Sequence, residues 1–354
     1  MEEEQRIAQG GKQYMIELKG IRKVFNPGTS SETVAINNLN LKLQSGDFIT
    51  VIGGNGAGKS TLLNIVSGSY EADEGLILLN NNDVSRLPEF KRAPYFGRVF
   101  QDPMMGTAGD MTVLENLSLA FRRGVRRSLF RWSCHTADKE FFIEQLKTLS
   151  LGLENRLNEK VGLLSGGQRQ ALTLLMATIR REPSHHMIRR DYVRFYDGDK
   201  KLAKEEFDKA FKEAKEEFKN KKAEIKSSNA SKEEKKAQLK EAFENFDKKV
   251  RVFDLTKPVL LLDEHTAALD PKTAAKVLEI TDEIVKKNSL TTIMITHNMK
   301  DAIKYGNRLV MMSKGNIVAD ISGEEKKKLT IEQLLEMFNS ASNDMLSDSA
   351  ILGD

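Results

Sequence analysis

One short stretch, GGNGAGKST (Gly53–Thr61), constrains this chain more than any other. It follows the apolar run FITVI, which reads as a strand, and precedes KSTLLNIVSG, whose spacing predicts a helix closed by Gly68. G-x-x-x-x-G-K-[ST] between a strand and a helix is the pattern of a phosphate loop. The glycines let backbone N–H groups converge on phosphate oxygens at a helix N-terminus. Gly53, Asn55, Gly56, Ala57, Gly58, Lys59, Ser60 and Thr61 are therefore expected to hold the phosphates of a nucleotide. Lys59 would bring a point charge to the β- and γ-phosphates, and Ser60 a hydroxyl ligand for Mg²⁺.

A second run, VLLLDE (Val259–Glu264), reads as a buried parallel strand that delivers two carboxylates at its C-terminal end. Ligands bind at that edge of open α/β sheets. Asp263 is expected to hold Mg²⁺ through water, and Glu264 to polarise an attacking water. Taken alone, the run would also suit any apolar strand before an acidic turn. The phosphate loop is what gives it meaning.

Composition excludes several alternatives. A net charge of +4 over 354 residues gives little reason to expect a nucleic-acid partner. The single cysteine, Cys134, rules out an intramolecular disulfide and a cysteine-based zinc site, and a reducing cytoplasm is the simplest setting. The acidic start, MEEEQRIAQGGKQY, has no apolar core and is not expected to be a signal peptide. No run approaches the roughly 20 apolar residues that span a bilayer, so work at a membrane would require a partner. His185 and His186 are adjacent and lack i,i+4 geometry, so no metal site is read there.

Along the chain, residues 1–14 are polar and read as a flexible tail. MIELKGIRKVF and AINNLNLKLQSGDFITVIGG alternate apolar and polar residues, predicting a mostly antiparallel opening sheet. Residues 104–160 lack strand patterning and read as helical, including TVLENLSLAF and DKEFFIEQLKTLSL. Strands resume at PVLLLDE and TTIMITHNM, and RLVMMSKGNIVAD predicts a hairpin around Lys314, Gly315 and Asn316. Residues 339–354 are rich in Ser and Asp and are expected to be disordered.

LSGGQRQ (Leu164–Gln170) opens the helix RQALTLLMATIR and is the discriminating motif. With it, the chain resembles the ATP-binding subunit of an ATP-binding-cassette (ABC) transporter. The parts stand in the family's order: phosphate loop, Gln101 in VFQDP, Ser165-Gly166-Gly167-Gln168, Asp263-Glu264, ALD at Ala268–Asp270, and His297 in ITHNM. The resemblance spans 15–183 and 257–338, with a helical subdomain at about 104–160. It implies a P-loop NTPase α/β fold: an antiparallel β subdomain, a RecA-like core and a helical subdomain.

The resemblance also implies ATP and Mg²⁺ as ligands, and it implies roles. Catalysis would fall to Glu264, His297, Gln101 and Lys59. Gln101 would touch Mg²⁺ or the attacking water, and His297 the γ-phosphate. Ser165, Gly166, Gly167 and Gln168 would cap the γ-phosphate of an ATP held by another subunit, and Asp270 would face that subunit. Phe25 would stack on adenine, or else sit in the core. Such a site closes only in a dimer, a homodimer or a heterodimer with another cassette. His265 stands where the family usually has Pro, and reads as a subfamily variant rather than a catalytic group.

LLMATIR together with DEHTAALDP resembles importer cassettes for small organic solutes, including a tryptophan/tyrosine-type amino acid group. The expectation is a cassette that energises a separate membrane permease, held at the inner face of the cell membrane through it. A solute-binding protein would be reached only through that permease. The permease surface would include the Met-rich Asp102–Leu117; the basic run Phe121–Trp132 reads either as a contact for lipid or permease, or as a solvated helix end. The alternatives are a soluble ABC ATPase regulating a non-transport partner, and an exporter ATPase. Known soluble types carry two cassettes, zinc cysteines, or a long coiled coil before the signature, and this chain has none of these.

Residues 184–256 depart from the family by separating the signature helix from the strand that ends in Asp263. Ala203, Phe207, Ala210, Phe211, Ala214, Phe218 and Ile225 mark one helical face, and Leu239, Ala242, Phe243, Phe246 and Val250 a second. SSNA reads as a turn, and Ser231 with Glu234 as a capping box. YVRFY and VRVFDL read as a short two-stranded base. The result is an inserted helical hairpin, either a surface decoration or a docking arm.

Overall fold

The structure, a computed structural model, describes residues 14–123, 136–179, 188–189, 192–193, 199–228, 231–251 and 259–340. The chain divides into two compact units, one of residues 1–79, 83–181 and 258–354, the other of 182–257 with 80–82.

The first unit carries two sheets. Strands β1 (Tyr14–Phe25), β2 (Thr33–Gln44), β4 (Glu74–Leu79) and β5 (Asn82–Asp83) form a four-stranded sheet in the order β2-β1-β4-β5. β1 pairs antiparallel with both β2 and β4. Strands β3 (Phe48–Gly53), β6 (Phe96–Val99), β7 (Val259–Asp263), β8 (Thr291–Ile295), β9 (Arg308–Ser313) and β10 (Asn316–Ser322) form the second sheet, ordered β10-β9-β3-β8-β7-β6. Its pairs are parallel except β9 with β10, an antiparallel hairpin turning through Lys314 and Gly315, both at positive φ.

β3 corrects the expected opening sheet. It sits at the centre of the parallel sheet instead of extending the antiparallel one. Burial explains the difference: β2 alternates between buried and exposed positions, whereas Phe48 through Ile52 are all buried. A strand covered on both faces needs a near-continuous apolar run, and β7 and β8 show the same pattern.

Helices α1 (Lys59–Ser67), α2 (Glu89–Arg92), α3 (Val113–Phe121), α4 (Thr136–Lys147) and α5 (Gly166–Thr178) follow in chain order. Thr112 and Glu115 form a reciprocal capping box at the start of α3, with Thr112 N donating to Glu115 Oε2 at 2.7 Å. Two 3₁₀ turns, Leu153–Asn155 and Val161–Leu163, complete the helical subdomain. Leu117, Phe142, Leu146, Leu149 and Leu153 join Ala171, Leu172 and Leu175 of α5 in one apolar core with Leu260 and Leu262 of β7. Signature helix and central sheet are thereby packed on common ground.

In the second unit, α6 (Lys200–Ser227) and α7 (Lys232–Arg251) are joined through Ser231, whose N–H donates to Glu234 Oε2 at 2.8 Å. Phe207, Ala214 and Phe246 form a core with Ile188, Tyr192 and Ala203. Phe211 and Phe246 lie 5.8 Å apart, and Phe218 and Phe246 5.6 Å. Arg189 bonds both oxygens of Asp208, at 2.5 and 2.6 Å.

The expected two-stranded base is not what the described part shows. Tyr192, Val193, Val250 and Arg251 are helical. Short alternating runs do not distinguish a strand from a helical turn, and Tyr192 packs inward on Phe207 at 6.4 Å. The rest of both runs lies outside the described residues, as do His185, His186 and most of Phe121–Trp132.

After β7 come α8 (Pro271–Asn288), α9 (Met299–Lys304) and α10 (Gly323–Lys328), then a last helix over 331–340. Leu334 and Phe338 of that last helix pack into a satellite core with Leu309 and Met311. Among the described residues, no helix is long and apolar enough to cross a membrane.

Candidate active site

The parallel order β3-β8-β7-β6 brings four loops to one carboxyl edge: the phosphate loop after β3, His297 after β8, Asp263-Glu264 at β7, and Gln101 after β6. Four motifs scattered along the chain thus become neighbours through strand order alone.

The phosphate loop is held by backbone bonds, Ala57 N to Gly54 O at 3.2 Å and Gly315 N to Ala57 O at 3.1 Å. Gly58 caps α1 in the left-handed region, φ 95°, and offers no side-chain cap. A Cβ there would lie 2.4 Å from Ala35 O, so only glycine fits. The first-turn N–H groups of α1 are left without a side-chain acceptor, which suits an anion. Lys59 is buried and donates from Nζ to Gly53 O at 2.8 Å and Gly54 O at 3.0 Å. Burial pulls its ammonium below the ordinary lysine range, and the Glu264 and Asp263 carboxylates oppose that shift.

Ser60 Oγ lies 3.4 Å from Asp263 Oδ1. A hydroxyl and a carboxylate are hard oxygen groups, so the pair fits a Mg²⁺ that Ser60 would bind directly and Asp263 through water. Gln101, the third expected donor, is exposed just beyond β6, and the preceding Phe100 carbonyl accepts from Gln170 Nε2 of α5 at 3.1 Å.

Glu264 has φ 44°, a left-handed conformation uncommon for a non-glycine residue. Its N–H reaches Ile295 O at 3.2 Å, and its carboxylate turns to His297, Oε1 to Nε2 at 2.5 Å. The turn is thus fixed at both backbone and side chain.

His265 points the other way. It is 2% exposed, and its Nε2 lies 3.1 Å from Thr281 Oγ1 in α8. The Thr281 hydroxyl donates to Val277 O, so the imidazole must be the donor to Thr281. Burial pushes its pKa down to about 4, so the ring stays neutral at ordinary pH.

Ser165 caps α5. Its Oγ accepts from Gln168 N at 3.3 Å, and its N–H donates to Gln168 Oε1 at 3.2 Å. Gln168 is held further by Arg156 and by Leu151 O. Gly166 and Gly167 leave the first turn bare of side chains. Among the described residues, no hydrogen bond joins this turn to the phosphate loop. Asp270 is exposed and caps α8 through Thr273, whose hydrogen bonds hold its carboxyl below the usual range.

Phe25 is part-exposed at the end of β1, edge-on to Tyr70 at 5.5 Å, with Lys23 Nζ 5.7 Å from its ring centre. It is not a core residue. Sequence reasoning missed Tyr70 and also Arg98, whose guanidinium reaches Asp263 Oδ2 at 3.4 Å. The only trace of Arg98 was a charge inside the otherwise apolar YFGRVF. No cluster of three or more metal-ligating side chains exists among the described residues.

A nucleotide-phosphate loop, a strand-end acidic pair linked to a histidine, and a capped SGGQ helix on one scaffold define an ATP-binding cassette ATPase. Residues 36–184 match the family model described as ABC transporter. The tyrosine transport ATP-binding protein of Clostridioides difficile is 37% identical over 329 residues, 92% of this chain and 100% of that protein. The phosphonates import ATP-binding protein PhnC of Lactococcus lactis is 24% identical over 90% of this chain and 98% of its own length. This chain belongs to the family of ABC transporter ATP-binding proteins, whose members hydrolyse ATP.

Solved cassettes share the fold. One, solved as a dimer in a post-hydrolysis state with ADP and Pi, aligns at TM-score 0.56 and 22% identity over 87% of this chain and 98% of its own. CbiO1 of Clostridium perfringens, part of the transporter complex CbiONQ, aligns at 0.57 and 19% over 92% and 95%.

Proposed function

We propose that this ATPase energises a separate permease for the import of a small organic solute, an aromatic amino acid of the tyrosine type. The observation that carries this reading is end-to-end correspondence with the tyrosine transport ATP-binding protein at 37% identity. The relatives named for phosphonate and polyamine import are 24% identical. The solute itself would be bound by the permease and by a solute-binding protein in contact with it, not by this chain.

In this reading the α1 N-terminus and Lys59 bind the β- and γ-phosphates of ATP, and Phe25 with Tyr70 offers aromatic surface to the base. Ser60, Asp263 and Gln101 would hold Mg²⁺, which when bound neutralises charge on the phosphate oxygens. Glu264 orients the attacking water and takes up its proton, while His297 stands beside that carboxylate and turns its N–H to the γ-phosphate once ATP is bound. Among the described residues no hydrogen bond ties the Ser165 turn to its own phosphate loop, so the turn would cap the γ-phosphate held by a second subunit, with Asp270 facing that subunit. Two sites would then close in one dimer, at the cytoplasmic face of the permease.

Reconstitution in proteoliposomes with both its permease and the solute-binding protein tests the reading. ATP inside the protein-bearing face should drive accumulation of labelled tyrosine, and Glu264→Gln should abolish it. ATP turnover without uptake of tyrosine, tryptophan or phenylalanine would overturn the solute assignment.

A further inference from the structure

Arg98 stands in β6 among apolar neighbours, paired in register with Leu261 of β7. Its side chain is only 14% exposed. One terminal nitrogen, Nη2, lies 3.4 Å from Asp263 Oδ2. The other, Nη1, lies 3.4 Å from Ser67 Oγ and 3.3 Å from Ser69 Oγ, at the C-terminal end of α1. The guanidinium carbon is 4.6 Å from the centre of the Phe100 ring, and Nε is buried with no hydrogen-bond partner among the described residues.

This is a poor arrangement for stability. A buried guanidinium loses its hydration, and long contacts with an unpartnered Nε return little of it. An apolar residue would fill the same place at lower cost. The arrangement makes sense through Asp263, whose two oxygens it separates. Oδ1 faces Ser60, 3.4 Å away, and Oδ2 faces Arg98. A carboxylate held at one oxygen by a planar cation is restrained in rotation, and the Phe100 ring 4.6 Å from the guanidinium carbon helps hold that cation in place.

We propose that Arg98 is a positioning residue for Asp263: it holds Oδ2 so that Oδ1 is presented beside Ser60 to Mg²⁺. The inference rests on reading Asp263 and Ser60 as Mg²⁺ donors. Partners of this kind around metal ligands typically change metal affinity about 10- to 100-fold when removed.

The test uses the full-length protein with ADP, and Mn²⁺ as the probe, with free Mn²⁺ read by electron paramagnetic resonance. Arg98→Met should weaken Mn²⁺ binding about 10- to 100-fold, leaving ADP affinity in EDTA unchanged. Arg98→Lys, which keeps the charge but not the fork, should fall between the two. Wild-type or tighter Mn²⁺ affinity in folded Arg98→Met overturns the proposal, as does a lysine variant no better than methionine. Should Arg98→Met not fold, Arg98→Lys decides: several-fold weakening supports the proposal, and wild-type affinity overturns it. Asp263→Asn separates the two readings. If it leaves Mn²⁺ affinity unchanged, the assignment of the metal donor itself fails.

Discussion

Glu264 Oε1 and His297 Nε2 lie 2.5 Å apart, joining the turn after β7 to the turn after β8. The contact crosses between adjacent parallel strands and sets the carboxylate at the sheet edge where the phosphate loop ends. Glu264→Gln keeps the shape of the side chain and removes the base. ATP turnover is expected to fall about 10²- to 10⁴-fold, the range of general base catalysis, while ATP binding persists. Phosphate release and nucleotide fluorescence measure the two quantities separately. With hydrolysis blocked, the ATP-bound protein should sediment as a dimer; a monomer at saturating ATP would contradict closure of the site between subunits.

The packing of β6 on the signature helix gives a second expectation. A Cβ built on Gly97 would lie 2.2 Å from Ala177 O at the end of α5. That neighbour is backbone and cannot rotate away. Gly97→Ala must therefore push α5 off the sheet, and overpacking of this kind typically destabilises by about 1–3 kcal/mol. Urea unfolding would measure it, and a loss under about 0.5 kcal/mol would mean that β6 and α5 are not tightly apposed.

The motifs of this site were legible because each is local. The phosphate loop, the acidic pair and His297 each follow an apolar run short enough to be read as a strand, so their place at strand ends could be inferred before any fold was known. The Arg98 contact with Asp263 was not legible, since only the adjacency of β6 and β7 creates it. β3 leaves the sheet that its sequence suggests, because FITVIGG continues the alternating run before it along the chain but not in the fold. Its unbroken burial belongs to the parallel centre. Tyr192 and Val250 are helical despite their alternating context for a related reason: alternation over a few residues carries no information about which partner will cover them.

Lys326 makes stability depend on pH in the alkaline range. It is 2% exposed, with Nζ donating to Tyr305 O, to Gly306 O at 3.1 Å and to Thr50 Oγ1 at 3.4 Å. Burial lowers its pKa from 10.5 to about 8. Between those values the unfolded chain binds more protons than the native one, so native stability rises with pH there and is lost as pH falls through 8. Relative to Lys326→Met, the wild type is expected to gain about 2 kcal/mol between pH 7 and 9.5. Paired urea titrations at the two values check this. A difference that stays flat would show that Lys326 keeps an ordinary pKa.

Whether the inserted hairpin takes part in catalysis can be decided by removing it. Every residue assigned here to phosphate, metal or water lies outside 182–257, in the other compact unit. The hairpin carries its own core around Phe207 and Phe246 and its own ion pairs, Arg189 with Asp208 and Lys249 with Glu217. Replacing residues 184–256 by a short flexible linker should therefore leave ATP turnover within about twofold of wild type, as expected for a surface loop exchange. A larger fall would show that the insertion supports the site. With turnover intact, uptake in proteoliposomes separates the remaining roles. Unchanged uptake makes the hairpin a decoration, and lost uptake makes it a docking arm. Among the described residues, Leu202 and Phe243 are the large apolar side chains exposed on its surface, at 50% and 49%. If it docks, Leu202→Ser should reproduce the loss of uptake in the full-length protein without unfolding the hairpin, because that side chain is half exposed and lies outside the hairpin core, whereas Phe243 packs on Phe218 and Phe246.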